Sequence, residues 1–305
     1  MAAIRPNYAD VLAPELAAVF FDRYEMEPEM TPDIFKVKTS DRDREIESAV
    51  SGFSLLSQTD ELGALDYEDP NQMYRTVYTH LKYTKGFKVS QELVEDDQHN
   101  VIRSMPDALG KAARRTQEFH GASNFNNGFD TNYTSYGDAK PLFSTSHPRA
   151  DGGTAQSNAS STGLALTENN LETLRTQGRK LLDDKGQRMV LRYDTLLVPV
   201  DLEKTANIIV QSTLRPGTGN NDYNMYNGMF KVKAWEYLTS TSAWFLLDMR
   251  QHMITWYWRI RPEFKQDSAF DSGAALYKTR MRFSFGWSDY RGAMGSKGDS
   301  QAYAS

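Results

Sequence analysis

The five histidines, His80, His99, His120, His147 and His252, are the first candidates for chemistry, since imidazole ligates metal and moves protons near neutral pH. None stands four residues from another or forms a His-x-His pair, the spacings that bring two rings to one metal. Glu92, Glu95, Asp96 and Asp97, with Asn100, offer hard oxygen ligands, some on one helical face, and would suit a divalent cation. The same run is also what a solvated, acidic first half of a helix looks like, favoured by the helix dipole. Ser144-Thr145-Ser146-His147 sets hydroxyls beside an imidazole, but nucleophile and base normally come from separate elements. Trp256-Tyr257-Trp258, beside Arg259 and Arg261, could stack the bases of a single strand or serve as core and interface.

The familiar catalytic cradles are missing. There is no Gly-x-x-x-x-Gly-Lys-Ser/Thr loop, no Gly-x-Gly-x-x-Gly after a strand and no Gly-x-Ser-x-Gly elbow. Zero Cys removes disulfides, thiolate zinc sites, iron–sulfur clusters and thiol catalysis. No catalytic, cofactor or metal residue is therefore expected, and the chain is not expected to be an enzyme. Two other readings stay open. One is a soluble metal-assisted hydrolase using Glu92, Asp96 and Asp97; the other is a single-stranded nucleic acid binder using Trp256 and Trp258.

The elements that would position such residues have unusual proportions. The 305 residues are only 39% hydrophobic, against about 45–50% for a self-contained globule, yet 12% aromatic, which is too much for disorder. A net charge of -5 argues against a protein built to grip nucleic acid backbone. No run approaches the ~18 apolar residues of a membrane helix, and the run 16–21 is too short for a signal peptide. Helical spacing of Leu12, Leu16, Val19 and Phe20 predicts an amphipathic helix over 10–25, with Pro14 in its first turn. Such a tethered helix docks on its own domain or on a partner.

Residues 34–88 read as two long strands, the second over 73–83, around a polar excursion at 51–70 that embeds Phe53, Leu55, Leu56 and Leu65. A hairpin with so long a tip is marginal alone and is expected to lie on another chain or domain. Helices are predicted from Ser90 to about residue 103 and, capped by Ser104 with Pro106 in its first turn, over 104–121. A long irregular insert follows over 123–163. Beyond it come a helix capped by Thr167 and ending near 185–186, a buried strand at 195–200, and a helix capped by Asp201. Strands are predicted over 230–239, 243–249 and 254–261, with a tight turn at 240–242. The last strand alternates, with Tyr277, Thr279, Met281, Phe283, Phe285 and Trp287 on one face and Lys278, Arg280, Arg282 and Ser284 on the other.

Five local strings occur in a telling order. They are Tyr83-x-x-Gly86-Phe87-x-Val89-Ser90 running to Glu95-Asp96-Asp97, then Gly137-Asp138-x-Lys140-Pro141-Leu142-Phe143-Ser144-x-x-His147. Thr195-Leu196-Leu197-Val198-Pro199, Trp244-Phe245-Leu246 and Asp289-x-Arg291-Gly292 follow. In this order the chain resembles the major capsid proteins of tailed bacteriophages, and among them the Mu-like major head subunits.

The resemblance implies an α+β fold of the Hong Kong 97 type. Its parts would be an N-terminal arm (1–33), an extended β-hairpin loop (34–88), a peripheral domain with a long spine helix and irregular insert (89–187), a mainly axial domain (188–275), and a return strand with C-terminal tail (276–305). The implied function is a structural head protein that self-assembles into hexamers and pentamers, forming an icosahedral or prolate shell. That shell would enclose viral DNA without sequence-specific binding. The implied place is the virion, after assembly in the host cytoplasm, without a membrane. Separate scaffolding, portal and decoration proteins are the further partners implied. A nanocompartment shell of the encapsulin kind shares the fold. Intersubunit contacts are expected from Leu16, Val19 and Phe20 of the arm and from Phe53, Leu55, Leu56 and Leu65 of the loop. Isopeptide self-crosslinking is not expected, since Lys36 and Lys38 lie near the hairpin base and 48–70 has no Lys.

Overall fold

The computed structural model describes residues 8–70, 72–90, 93, 101–135, 137–215, 222–269, 271 and 273–301. The chain divides into two compact units. Unit 1 takes residues up to Glu45, Tyr78–Gly121 and Trp256–Phe285; unit 2 takes Ile46–Val77, Ala122–Thr255 and Gly286 onward.

Unit 1 is built on a four-stranded sheet in the order β1-β8-β9-β4, where β1 is Lys36–Thr39, β4 Leu81–Val89, β8 Ile254–Ser268 and β9 Ala275–Trp287. Strand β9 alternates as predicted, and its apolar face carries the core. Trp256 stacks on Phe283 at 4.4 Å, and Phe87 stacks on Tyr277 at 4.9 Å. Two helices cover that face, α1 (Tyr8–Met26) and the first part of α3 (Val101–Asn126); the one-turn α2 is Thr31–Ile34. Leu16 packs with Val89, Ile102, Ala275 and Tyr277, and Phe20 with Leu109 and Ala113. Gly110 lets the two helix backbones meet, since a Cβ there would stand 2.5 Å from the Phe20 carbonyl oxygen.

Polar bonds fasten the arm to its own unit. Arg114 pairs with Glu29 at 2.6 Å, lies over the Tyr24 ring at 3.9 Å and donates to the Tyr24 carbonyl. The Tyr24 hydroxyl donates to Gln117 at 2.6 Å, and the Thr31 hydroxyl donates to Glu118 at 2.9 Å. Burial raises the Tyr24 pKa to about 12, against the opposing pull of Arg114, so the hydroxyl stays a donor.

Unit 2 is built on a second sheet, β10-β7-β5-β6, with β5 Thr195–Val198, β6 Lys231–Ala234, β7 Trp244–Leu247 and β10 Ala293–Ser296. Strands β5, β7 and β10 are buried along their whole length, the mark of a sheet covered on both faces. Helices α4 (Glu168–Arg179) and α5 (Val200–Gln211) supply Leu171, Leu174, Ala206, Ile209 and Val210 to one side. Phe125, Phe143 and Phe129 pack around Phe245 at 5.0–6.1 Å between ring centroids. Strands β5 and β6 run parallel, joined by the α5 crossover, as parallel pairing requires. The hairpin of β2 (Arg44–Val50) and β3 (Gln72–Thr79) forms a separate two-stranded ribbon.

Several boundaries depart from the sequence reading. The strand predicted over 73–83 is two strands that change sheets at His80, whose ring sits between Ser40 and Ser284 at 3.0 Å from each hydroxyl. Ser104 is no cap. Helix α3 already runs at Val101, continues through Pro106 and extends to Asn126, and the Ser104 hydroxyl bonds the Val101 carbonyl instead. Helix α1 already runs at Tyr8, so Pro14 falls past its first turn. Thr167 does cap α4, accepting from the Asn170 N–H at 3.2 Å, but the helix stops at Arg179 rather than near 185. Pro199, not Asp201, is the N-cap of α5. Residues 240–242 join no hairpin, because β7 pairs with β5 and β10 rather than with β6.

Candidate assembly surfaces

The residues that suggested chemistry prove to be structural where they are described. His147 is fully buried, with Nδ1 2.6 Å from Asp138 Oδ2 and Nε2 3.1 Å from Asn158 Oδ1, and its ring is stacked on Tyr290 at 3.7 Å. Both ring nitrogens thus face oxygens of the protein, and the ring is closed off from any substrate. The Ser144 hydroxyl accepts from the Ser146 N–H rather than facing this ring. Asn158 is the hub of the cluster. Its amide donates to the Leu142 and Ala293 carbonyls at 2.6 and 3.2 Å, while its oxygen also accepts from the Ser144 N–H at 2.9 Å. These bonds hold the insert against the end of the chain. The string 137–147 shows this role only once Asn158 is seen.

His120 packs among Tyr83, Phe283 and Phe285, and burial lowers its pKa. Burial, helped by Arg282, does the same to His80. Trp256 and Trp258 are buried in the core of unit 1, so they form no platform for bases; the single-strand reading loses its stacking surface. Glu92, Glu95, Asp96, Asp97, His99 and Asn100 lie outside the described residues. Among the described residues no group of three His, Cys, Asp or Glu could hold a metal ion. None of their helices is long and apolar enough to cross a membrane.

The arm and the loop behave differently. Leu16 and Phe20, expected as contacts to a neighbour, are 1% and 0% exposed, and in this chain they pack into its own core. Val19 is half-buried. Residues 51–70 between β2 and β3 have the opposite character. Phe53, Leu55 and Leu65 are largely exposed and Leu56 is 98% exposed; Leu62 and Tyr67, which pattern reading missed, are exposed as fully. The sequence signal for these two was present as well, since each interrupts a polar stretch.

Ser51 to Pro70 carries five carboxylates and no Lys or Arg. One of the five is used at the loop base, where Glu68 pairs with Lys185 and accepts from the Ser54 N–H and hydroxyl, each at 2.7 Å. The Lys185 bond, then those from Ser54, lower the Glu68 pKa from 4.5 to about 2. So large an exposed apolar set is unusual for a monomer.

Comparison with known proteins agrees with this geometry. A family model for phage capsid protein matches residues 74–294. The bacteriophage JBD30 capsid superposes with a TM-score of 0.57 at 15% identity, covering 78% of this chain and all of that one. The capsid of a native GTA particle gives 0.57 at 12% identity, over 88% and 90% of the two chains. A virus-like particle from Pyrococcus furiosus gives 0.53 at 7% identity, over 93% and 98%. These likenesses establish the shared α+β fold of the Hong Kong 97 type. No curated protein matches the chain.

Proposed function

The chain belongs to the phage capsid protein family, and on that footing we propose that it is the subunit whose copies close into hexamers and pentamers of an icosahedral or prolate shell around viral DNA. Its role as a structural major capsid protein of the virion follows from the family; the ring geometry and the contents of the shell are the proposal. The observation that supports it best is the exposed apolar loop at 51–70. Burying those side chains against neighbours contributes roughly 25 cal/mol per Å2 of apolar area before ordering costs. Head-to-tail contacts then close into rings where the rotation permits.

In this reading the stretch 34–88 is the extended loop, the stretch 89–187 holds the spine helix α3 and the insert, the stretch 188–275 is mainly axial, and 276–305 returns. The compact units change over elsewhere, at Gly121/Ala122 and Thr255/Trp256. Phe53, Leu55, Leu56 and Leu65 are the intersubunit contacts, and Val19 contributes from the arm. Scaffolding, portal and decoration proteins act separately, in the host cytoplasm. Sedimentation velocity with negative-stain images tests this. Full-length protein is expected to give closed shells or discrete rings, whereas Leu55→Asp/Leu56→Asp keeps its fold but stays unassembled. Assembly unchanged by that pair would refute the contact role.

The likeness to the Pyrococcus furiosus virus-like particle supports a second reading, a shell without viral DNA. Nuclease-protected DNA inside particles made during infection separates the two.

A further inference from the structure

In the sheet of unit 2, β5 pairs in parallel with β6 and antiparallel with β7, so Thr195 stands beside both Lys231 and Leu247. The start of β5, the start of β6 and the end of β7 therefore meet at one end of the sheet, where a cavity of about 480 Å3 opens. Four arginines line it. Arg175 and Arg179 stand four residues apart on α4 and share a face, Arg192 precedes β5, and Arg250 follows β7. Met229 and the buried Tyr193 add apolar wall, and Asp194 is the one carboxylate of the lining among the described residues.

The acids at this end of the sheet are committed elsewhere. Asp248 is 0% exposed; its Oδ2 accepts the Arg192 N–H at 2.6 Å, and its Oδ1 accepts those of Arg250 and Gln251 at 3.1 and 3.2 Å. Asp194 Oδ1 accepts the Thr195 hydroxyl at 3.0 Å and the Met249 N–H at 3.3 Å. Glu172 pairs with Arg175 at 3.0 Å and also accepts the Tyr226 hydroxyl at 2.7 Å. The Arg250 guanidinium lies 3.9 Å from Asp248. Arg179 and Arg192 are exposed and have no ion pair among the described residues. Gathering four like charges around one cavity costs the folded chain a repulsion that a bound anion relieves.

We propose that this cavity binds a compact anion of two or three linked phosphoryl groups, of the pyrophosphate or triphosphate kind. The planar guanidinium fork meets phosphate oxygens two at a time, which a lysine cannot do. The cavity has the size of small-molecule sites, about 300–1,000 Å3. A duplex would present its phosphates in a row and ask for cations along a track. Here the cations instead converge on one cavity, from a helix face and two strand ends. Arg179 and Arg192, which no carboxylate holds, carry most of the binding. Arg175 and Arg250 share their charge with Glu172 and Asp248. The inference goes beyond the assembly reading and stands without it, because a single copy supplies the whole lining.

Titration calorimetry of the full-length chain with tripolyphosphate, pyrophosphate and sulfate, at one fixed ionic strength, tests it. Tripolyphosphate is expected to saturate one site per chain and to bind at least tenfold more tightly than sulfate. Arg179→Gln/Arg192→Gln should weaken tripolyphosphate at least tenfold while leaving the urea midpoint of the ligand-free protein unchanged. Arg42→Gln/Lys204→Gln removes the same net charge from exposed positions outside the cavity and should bind as the wild type does. Absence of saturable binding, equal affinity for sulfate and tripolyphosphate, or an equal loss in both double variants would overturn the site. So would a short DNA duplex that displaces tripolyphosphate from the wild type but no longer binds Arg179→Gln/Arg192→Gln, since the occupant would then be nucleic acid.

Discussion

Replacing Asn158 by Ala probes the polar hub of unit 2. The change removes the acceptor for the Ser144 N–H and His147 Nε2 and the donor to the Leu142 and Ala293 carbonyls, at 2.6–3.2 Å. Asn158, His147 and Leu142 are 0% exposed, so water cannot take over these bonds without opening the site. Each buried polar group left unmade costs about 1–3 kcal/mol, and the carbonyls, with a second lone pair, suffer less than the two N–H donors. The sum is about 3–6 kcal/mol, a large part of the roughly 5–15 kcal/mol that holds a domain folded. At a urea slope of about 3 kcal/mol per M, the midpoint should fall by about 1–2 M. Trp244, buried in unit 2, reports the transition of unassembled subunits by fluorescence. Asn158→Asp keeps the shape but turns an acceptor toward two carbonyl oxygens, so it should also destabilise. A midpoint lowered by less than about 0.3 M for the Ala variant would show that the hub is dispensable and the reasoning wrong.

Two further outcomes follow from the geometry. Glu68 has a lowered pKa in the folded loop, so its bond to Lys185 is intact above about 4.5 and is lost as pH falls toward about 2. Amide protection at 54–68, taken as exchange relative to the intrinsic rate at each pH, should fall over that window, and Glu68→Gln should remove the acid-dependent part; protection with no pH-specific step would contradict the anchor. Trp256→Ala empties a fully buried site against Phe283 and Phe35 and should cost about 3–5 kcal/mol in urea unfolding. A variant of unchanged stability that had lost single-stranded DNA binding would reverse the assignment of Trp256 to the core.

Periodic patterns were the legible part of this chain. The alternation of β9, the continuous apolar run of β5 and the Thr167 cap all depend on local spacing, and all are found in the structure. What escaped was settled by partners distant in sequence. The break at His80 needs Ser40 and Ser284; the run of α3 through Pro106 needs the cover of α1 at Gly110; and the internal burial of Leu16 needs Ala275 and Tyr277 of β9, that of Phe20 Leu109 and Ala113 of α3. The loop residues were read from the opposite signal, apolar side chains in a stretch too polar to bury them.

The sequence of that loop also sets how proteases see the subunit. With no Lys or Arg between Arg44 and Arg75, trypsin has no site anywhere in the excursion. Chymotrypsin does, at the exposed Phe53, Leu55, Leu56 and Tyr67. A free subunit should be nicked there by one enzyme and spared by the other, while a loop covered by a neighbour should resist both. The pair of digests therefore reports occupancy of the loop in a crude lysate, with no label and no purified particle.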